Sequence, residues 1–287
     1  MSISSLQLDA FFAVAKMLNF SKAAKQLHVT QSALSQRVKN LEDTLGVTLF
    51  IRDQSGIRLT DFGYRLLRYA QSKNILEQDL MSDIKVDDKN ELSGIIGIGA
   101  FSSVLKSMII PTLSPLIRKH PKIQCNFVQG DMHLLPEMLK NAAVDFIILD
   151  YSLDTPAITE HVLGYEEYVV IESTKYKTPE DTYLDNGQDD MATENFFKSQ
   201  KTKIKYKRIF MGETYCILTG VEEGLGRAVM PRHLFSDKKS VRIVNGFKPF
   251  RRAITLHYYT QSFYPKLHQT VIDELINNCK KFTNFIS

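Results

Sequence analysis

Between Phe20 and Glu42 the chain reads Phe-Ser-Lys-Ala-Ala-Lys-Gln-Leu-His-Val-Thr-Gln-Ser-Ala-Leu-Ser-Gln-Arg-Val-Lys-Asn-Leu-Glu, and this run leaves few folds open. Two short helices joined by a tight turn must approach closely, and Ala23 and Ala24 supply small side chains for that contact. Leu27 and Val29 fill the angle between the helices. Leu34, Val38, Leu41 and Leu45 then recur at offsets of four, three and four, which puts them on one buried helical face. Ser21 is suited to cap the first helix and Thr30 the second, which should end at Gly46.

Upstream, Leu6, Leu8, Phe11, Phe12, Ala15 and Leu18 make a helical stripe. Downstream, Thr48–Arg52 and Ile57–Thr60 read as strands of a small hairpin, with Gln54, Ser55 and Gly56 in its turn. The exposed face of the third helix should carry Gln31, Ser32, Ser35, Gln36 and Lys39, side chains suited to base edges and phosphates in a major groove. Taken alone, such a face is equally an ordinary solvated helix surface. Arg52 and Arg58, on the hairpin, are placed to reach flanking phosphates or the minor groove, or to pair with nearby acids such as Asp53 and Asp61.

Charge placement weighs on that choice. The whole chain has a formal charge of +4, and residues 1–70 hold nine cations against five anions, so the first quarter carries the entire excess. A basic head on a neutral remainder suits a polyanion partner.

From Thr60 a long helix is expected to run to about Ile84, with Asp61 in its first turn where the helix dipole favours an anion. Leu66, Tyr69, Leu76 and Leu80 trace a narrow heptad-like seam suited to pairing with a second copy or to packing on the chain's own domain. The polar run Val86–Asn90 reads as a hinge. Beyond it the pattern alternates between strands (Ile95–Ala100, Lys122–Val128, Val144–Leu149) and helices (Ser102 or Ser103 to His120, Leu134–Ala142), which predicts a mostly parallel sheet. Pro111 and Pro115 are expected to kink or break the first of those helices. Tyr168–Glu172, Lys207–Phe210, Arg227–Met230 and Ile254–Tyr259 are further strand candidates, with helices at Thr214–Glu223 and Lys266–Phe282 and a loop over Ser173–Gln200.

The N-terminal residues resemble the LysR-type transcriptional regulators. The likeness rests on Leu8, Phe11, Val14-Ala15, Phe20-Ser21, Ala23-Ala24, Leu27, Thr30-Gln31-Ser32-Ala33-Leu34-Ser35, Leu41-Glu42, Leu45-Gly46, Leu49-Phe50, Arg52, Leu59-Thr60 and Gly63. It continues more loosely through Gly94–Gly99 and through Gly224-Leu-Gly226 with Val229-Met230-Pro231. Membership would imply an all-α winged helix-turn-helix domain over residues 1–60 and a dimerising linker helix and hinge over 61–90. The rest, 91–287, would be an α/β two-lobed effector domain like periplasmic binding proteins. Lobe one is expected at about 91–160 and 262–287, and lobe two at about 161–261. The implied partners are double-stranded promoter DNA, a small-molecule effector and RNA polymerase, in a cytoplasmic homodimer or homotetramer.

A cleft between two strand–helix lobes is the natural ligand site. Ser102 and Ser103 after the first strand, Gln129 and Gly130 after the second, and Met211, Gly212 and Glu213 after the strand ending at Phe210 are expected to line it; by resemblance these match places where family members touch effectors. Each also has a plain structural use, since Ser102 and Glu213 are both plausible helix caps. Glu213, if it faces the cleft, would favour an amine or an amino acid over a purely anionic ligand.

Enzyme chemistry finds little purchase. Gly97-Ile-Gly99 lacks the third glycine of a dinucleotide fingerprint, Ser102 standing in its place, and no acidic residue clearly closes the next strand. The seven histidines form no metal spacing, and neither a nucleophile elbow nor a phosphate-binding loop is present. No cofactor or metal is therefore expected. A bare solute-binding protein and a nucleoid-structuring protein are the alternatives; the basic head weighs against the first, and preference for one operator over random DNA would weigh against the second. Cys125, Cys216 and Cys279 read as reduced, mostly buried thiols. No stretch approaches the roughly 18 apolar residues of a membrane span, and the N-terminus carries no secretory pattern.

Overall fold

The computed structural model describes residues 3–53, 56–85, 91–200 and 204–282. Gln54 and Ser55 of the expected hairpin turn and the Val86–Asn90 hinge lie outside the described residues.

Three helices, α1 (Ser5–Met17), α2 (Phe20–Gln26) and α3 (Gln31–Leu45), and a hairpin of β1 (Phe50–Asp53) and β2 (Gly56–Leu59) form the head. Its core gathers the residues that the periodicity singles out. Phe11, Ala23, Leu34 and Leu41 are fully buried, and Leu49 of the wing joins them. Burying one such leucine is worth about 1.5–3 kcal/mol, so this face is what holds α3 against the head. The first cap differs from expectation. Asn19, not Ser21, caps α2, its side chain accepting from Lys22 N at 2.9 Å, while Ser21 sits inside the first turn. Thr30 caps α3 through Ala33 N at 3.2 Å, and Gly46 ends it in the left-handed region at φ 68°.

The linker helix α4 (Asp61–Lys85) starts hard against the wing. Thr60 Oγ1 donates to the Thr48 carbonyl at 2.7 Å and accepts from Gly63 N at 3.0 Å. A Cβ on Gly63 would stand 2.4 Å from the Leu49 carbonyl oxygen, so only glycine permits this approach. Leu66 is buried in the head's own core together with Leu67 and Ala70, so it is unavailable to the expected seam between copies; Tyr69, Leu76 and Leu80 are exposed.

Beyond residue 91 the chain builds β3 (Gly94–Ala100), α5 (Ser102–Val104), a π-helical turn (Leu105–Ile109), α6 (Ile110–Lys119), β4 (Ile123–Gln129), α7 (Leu135–Lys140) and β5 (Phe146–Leu149). It continues with β6 (Ile158–Ser173), β7 (Thr182–Asp185), α8 (Ala192–Ser199), β8 (Lys207–Phe210), α9 (Thr214–Glu222), β9 (Ala228–Pro231), β10 (Val241–Ile243), β11 (Phe250–Tyr259) and α10 (Lys266–Asn278). Pro111 does not break the helix after Ser102. The wide π turn directly before it removes the normal hydrogen-bond register that proline cannot join.

A seven-stranded sheet runs in the order β10-β6-β11-β5-β3-β4, with β9 also paired to β6. Only β3–β4 and β3–β5 in it are parallel; the pairings of β6, β9, β10 and β11 are antiparallel, which corrects the expectation of a mostly parallel sheet. The long strands β6 and β11 run through both lobes, with a register shift at Ile254/Thr255. The loop expected over Ser173–Gln200 instead holds β7, which pairs in parallel with β8, and α8. Lobe one packs Ile98, Met108, Phe146, Leu256 and Leu275 into one core, and lobe two packs Ile171, Leu184 and Val221 into another. Cys279 is buried and Cys125 half-buried, but Cys216 is exposed, so that thiol departs from the expected burial. Among the described residues no helix is long and apolar enough to cross a membrane.

The linker helix also leans on lobe one. Gln71 Nε2 donates to the Ala142 carbonyl at 2.9 Å, Arg68 to the Lys140 carbonyl at 3.4 Å, and Lys140 Nζ pairs with Asp61 at 3.7 Å. The helix that carries the head is thereby tied to one lobe of the C-terminal domain.

Candidate DNA-reading face and ligand cleft

The turn between α2 and α3 is tight enough to force His28 to φ 54°, a left-handed geometry unusual for a residue other than glycine. It aims α3 outward with its polar side uncovered. Thr30, Gln31, Ser32, Gln36 and Lys39 are exposed and Ser35 is half-buried on that side. Ser21 Oγ donates to Gln31 Oε1 at 2.9 Å, which orients the amide from the neighbouring helix. Gln36 Nε2 donates to Asn40 at 2.7 Å.

Ser32, Ser35, Gln36, Lys39 and Arg52 share one open concavity between α3 and the wing. Glu42 fixes that geometry, its Oε1 accepting from Leu49 N at 2.7 Å and Phe50 N at 3.3 Å. Arg52 stacks on Phe20 with 4.0 Å between guanidinium carbon and ring centroid, which holds the cation at the rim. Arg58 stands apart from this group, pairing with Asp53 at 3.3 Å on the exposed hairpin. The face therefore unites Ser32, Ser35, Gln36, Lys39 and Arg52; Gln31 lies exposed outside that concavity, bonded to Ser21, Thr30 caps the helix, and Arg58 stands apart.

A second concavity, of about 220 Å³, lies between the two lobes. Ser102, Ser103, Gln129 and Gly130 line it from lobe one, and Gly212 and Glu213 from lobe two. Met211 does not. Its side chain turns into the lobe-two core and its methyl would lie 3.0 Å from a Cβ on Gly220. Glu213 does two jobs. One oxygen accepts from Tyr215 N and Cys216 N at 2.8 and 3.2 Å, capping α9, and the other accepts from Ser102 Oγ at 3.4 Å.

The sequence reading missed the residues of the cleft floor. Arg252 of β11 lines it and is ion-paired with Asp150, whose side chain is 1% exposed. Burial pushes the Asp150 carboxyl up, against the pull of Arg252. Tyr168 donates to Glu166 at 3.1 Å, and Glu166 also meets His233 Nε2 at 2.7 Å. Asp185 accepts from Thr193 at 2.6 Å and Arg208 Nε at 2.5 Å; burial raises it despite both partners. No periodicity marks these positions, because they converge from four strands, a helix and the turns between them. The only available signal was a run of charged residues inside otherwise apolar strands.

The charges around the opening are unequal. Asp150 and Asp185 each have an arginine, but Asp131, Asp190 and Glu213 line the cleft with no ion pair among the described residues. Asp190 and Glu213 accept only backbone amides and the Ser102 hydroxyl. Among the described residues no group of histidine, cysteine and carboxylate side chains is arranged to hold a metal ion.

Comparison with known proteins places these two sites in context. Residues 6–64 match the bacterial regulatory helix-turn-helix protein of the lysR family, and residues 89–280 match the LysR substrate binding domain. The HTH-type transcriptional activator IlvY of Haemophilus influenzae is 31% identical over 49% of this chain and 48% of its own length. The HTH-type transcriptional regulator YofA of Bacillus subtilis is 26% identical over 97% of this chain and 100% of its own. Among solved structures, ArgP from Mycobacterium tuberculosis superposes with a TM-score of 0.78 at 20% identity, covering 96% of this chain and 97% of that one. Full-length LysG from Corynebacterium glutamicum with bound effector Arg gives 0.76 at 16% identity, covering 96% and 98%.

Proposed function

Since the chain belongs to the LysR family of bacterial transcriptional regulators, we propose that α3 reads its operator and that its cleft takes an effector bearing a cationic nitrogen. The protein is a DNA-binding regulator of transcription whose C-terminal domain binds a small-molecule effector. Its relatives are named as transcriptional regulators.

Gln31, Ser32, Ser35 and Gln36 contact base edges, Lys39 and Arg52 contact phosphates, and Arg58 leaves Asp53 to join them when DNA arrives. Ser21 and Thr30 hold the reading helix in place. The dimer forms through Tyr69, Leu76 and Leu80, and two heads meet half-sites about one helical turn apart, roughly 34–36 Å. Assembly of such dimers into tetramers and contact with RNA polymerase in the cytoplasm complete this reading.

The single observation behind the effector class is the three cleft carboxylates without an ion-pair partner. An amine entering between Ser102 and Glu213 gains a charge-assisted hydrogen bond, and Arg252 on the floor offers a place for a carboxylate. Both suit an amino acid with a basic side chain. LysG, solved with arginine bound, has the same fold. Gel-shift binding to DNA upstream of the protein's own gene, with random competitor DNA, tests the reading. Wild-type protein should be retained specifically and a variant lacking residues 1–90 should not. Arginine, lysine or putrescine should shift the apparent affinity and succinate should not. Specific retention insensitive to every amine would refute the effector class while leaving the regulator.

A further inference from the structure

Where α4 leans on lobe one, it roofs a cavity of about 50 Å³ that is separate from the cleft. Arg68 and Gln71 stand on the helix side, and Asp145, Phe146, Tyr259 and His268 on the lobe side. That volume is about three to five times what one water needs, room for a molecule the size of acetate or propionate.

Two of these residues are left with bonding capacity. The Arg68 guanidinium lies 3.9 Å from the Tyr259 ring centroid and donates to the Lys140 carbonyl, yet no carboxylate among the described residues is within ion-pair distance of it. Burial lowers its pKa, the expected response of a cation drawn out of water with no counter-ion. His268 is 6% exposed, and its Nδ1 has no partner among the described residues.

The one carboxylate on the wall is already answered. Asp145 Oδ2 accepts from Gly97 N at 2.7 Å, and its Oδ1 faces His268 Nε2 at 3.5 Å. Desolvation lowers the nearby Lys16 ammonium, and the Asp145 charge works against that shift. The cavity is thus lined by a cation with no carboxylate at ion-pair distance among the described residues, beside a buried imidazole ring.

We propose that this cavity is a second ligand site, for a small monocarboxylate. The carboxylate lies against the fork of Arg68 N–H groups, a geometry that favours bidentate pairing, and the His268 ring closes the far side. Such a ligand touches the linker helix and lobe one at once. Its occupancy is therefore linked to how firmly the helix that carries the head is held, and the linkage is reciprocal. This proposal stands apart from the effector reading of the cleft.

The test is calorimetric titration of the full-length protein with sodium propionate, against sodium chloride at equal ionic strength. Wild type should give saturable heat with propionate only. Arg68→Gln should weaken binding about tenfold or more, the usual cost of removing a charged hydrogen-bonding partner. Arg68→Lys should recover part of the loss, and Ser102→Ala in the cleft should leave binding intact. The His268 ring proton resonance of the wild type should shift with propionate along the same binding curve, a readout that does not depend on any variant folding. Equal heat from Arg68→Gln, loss in Ser102→Ala, saturation by chloride alone or an unmoved His268 resonance would each overturn the site.

Discussion

Ser102 Oγ donates to Glu213 Oε1 across the cleft at 3.4 Å, and Glu213 caps α9 with its other oxygen. One carboxylate thus ties the first helical turn of lobe one to the start of a helix in lobe two. Glu213→Gln keeps a capping oxygen and removes the charge. It should weaken binding of arginine or lysine about tenfold, the scale of one charge-assisted bond, with a change in melting temperature of only a few degrees. Unchanged affinity for every amine would take Glu213 out of the effector site.

Base reading and phosphate anchoring should separate on α3. Gln31→Ala or Ser35→Ala should cost about 1–3 kcal/mol on the operator and little on random DNA. Lys39→Ala should weaken both alike and flatten the salt dependence by about one unit of log–log slope. Gel shifts over a salt series on both DNAs distinguish the two patterns. Equal losses on the two DNAs for Gln31→Ala would assign that amide to support alone.

Gly63 is a steric requirement. Its added methyl would fall 2.4 Å from the Leu49 carbonyl and 2.8 Å from Leu59 Cδ2. Gly63→Ala should therefore destabilise the head by about 1–3 kcal/mol, the range for forcing a carbon into packed space. Thermal melting checks it, and an unshifted transition would mean that α4 can pivot away from the wing freely.

Acid should weaken the C-terminal domain through His257. That side chain is fully buried, and burial lowers its pKa from 6.5 despite the pull of Glu160. Below 6.5 the unfolded chain then binds more protons than the folded one, so stability falls as pH drops through that value. Asp150 and Asp185 are raised and act in the opposite sense, with stability lost as pH climbs above 3.8. Melting temperature should decline from neutral pH downward, and less steeply in His257→Gln. An identical slope in the variant would assign the loss to other groups.

The head was legible because its signals are local. Small residues at a helix crossing, a leucine face, Thr30 before a helix and Gly46 after one all act within a few positions of their own sequence. Asn19 as the cap of α2 was legible in principle, since asparagine and serine are equally good caps. Leu66 was not, because a narrow stripe cannot say which partner covers it. The cleft divided in the same way. Ser102 and Gln129 follow strands whose ends can be read, whereas Arg252 and Asp150 meet only because β11 lies beside β5. The parallel reading failed at β6 for a related reason. A sixteen-residue strand that serves two lobes is apolar on different faces along its length, and no single alternation runs through it.

Strands β6 and β11 belong to both lobes, and all of β11 is paired with the first part of β6, Ile158 to Tyr168. Neither lobe can then be lifted out, swapped or inherited alone, because removing one would leave the other with a frayed sheet. A chimera with new ligand preference would have to exchange everything after the linker helix as a single cassette, or change only the side chains that face the cleft.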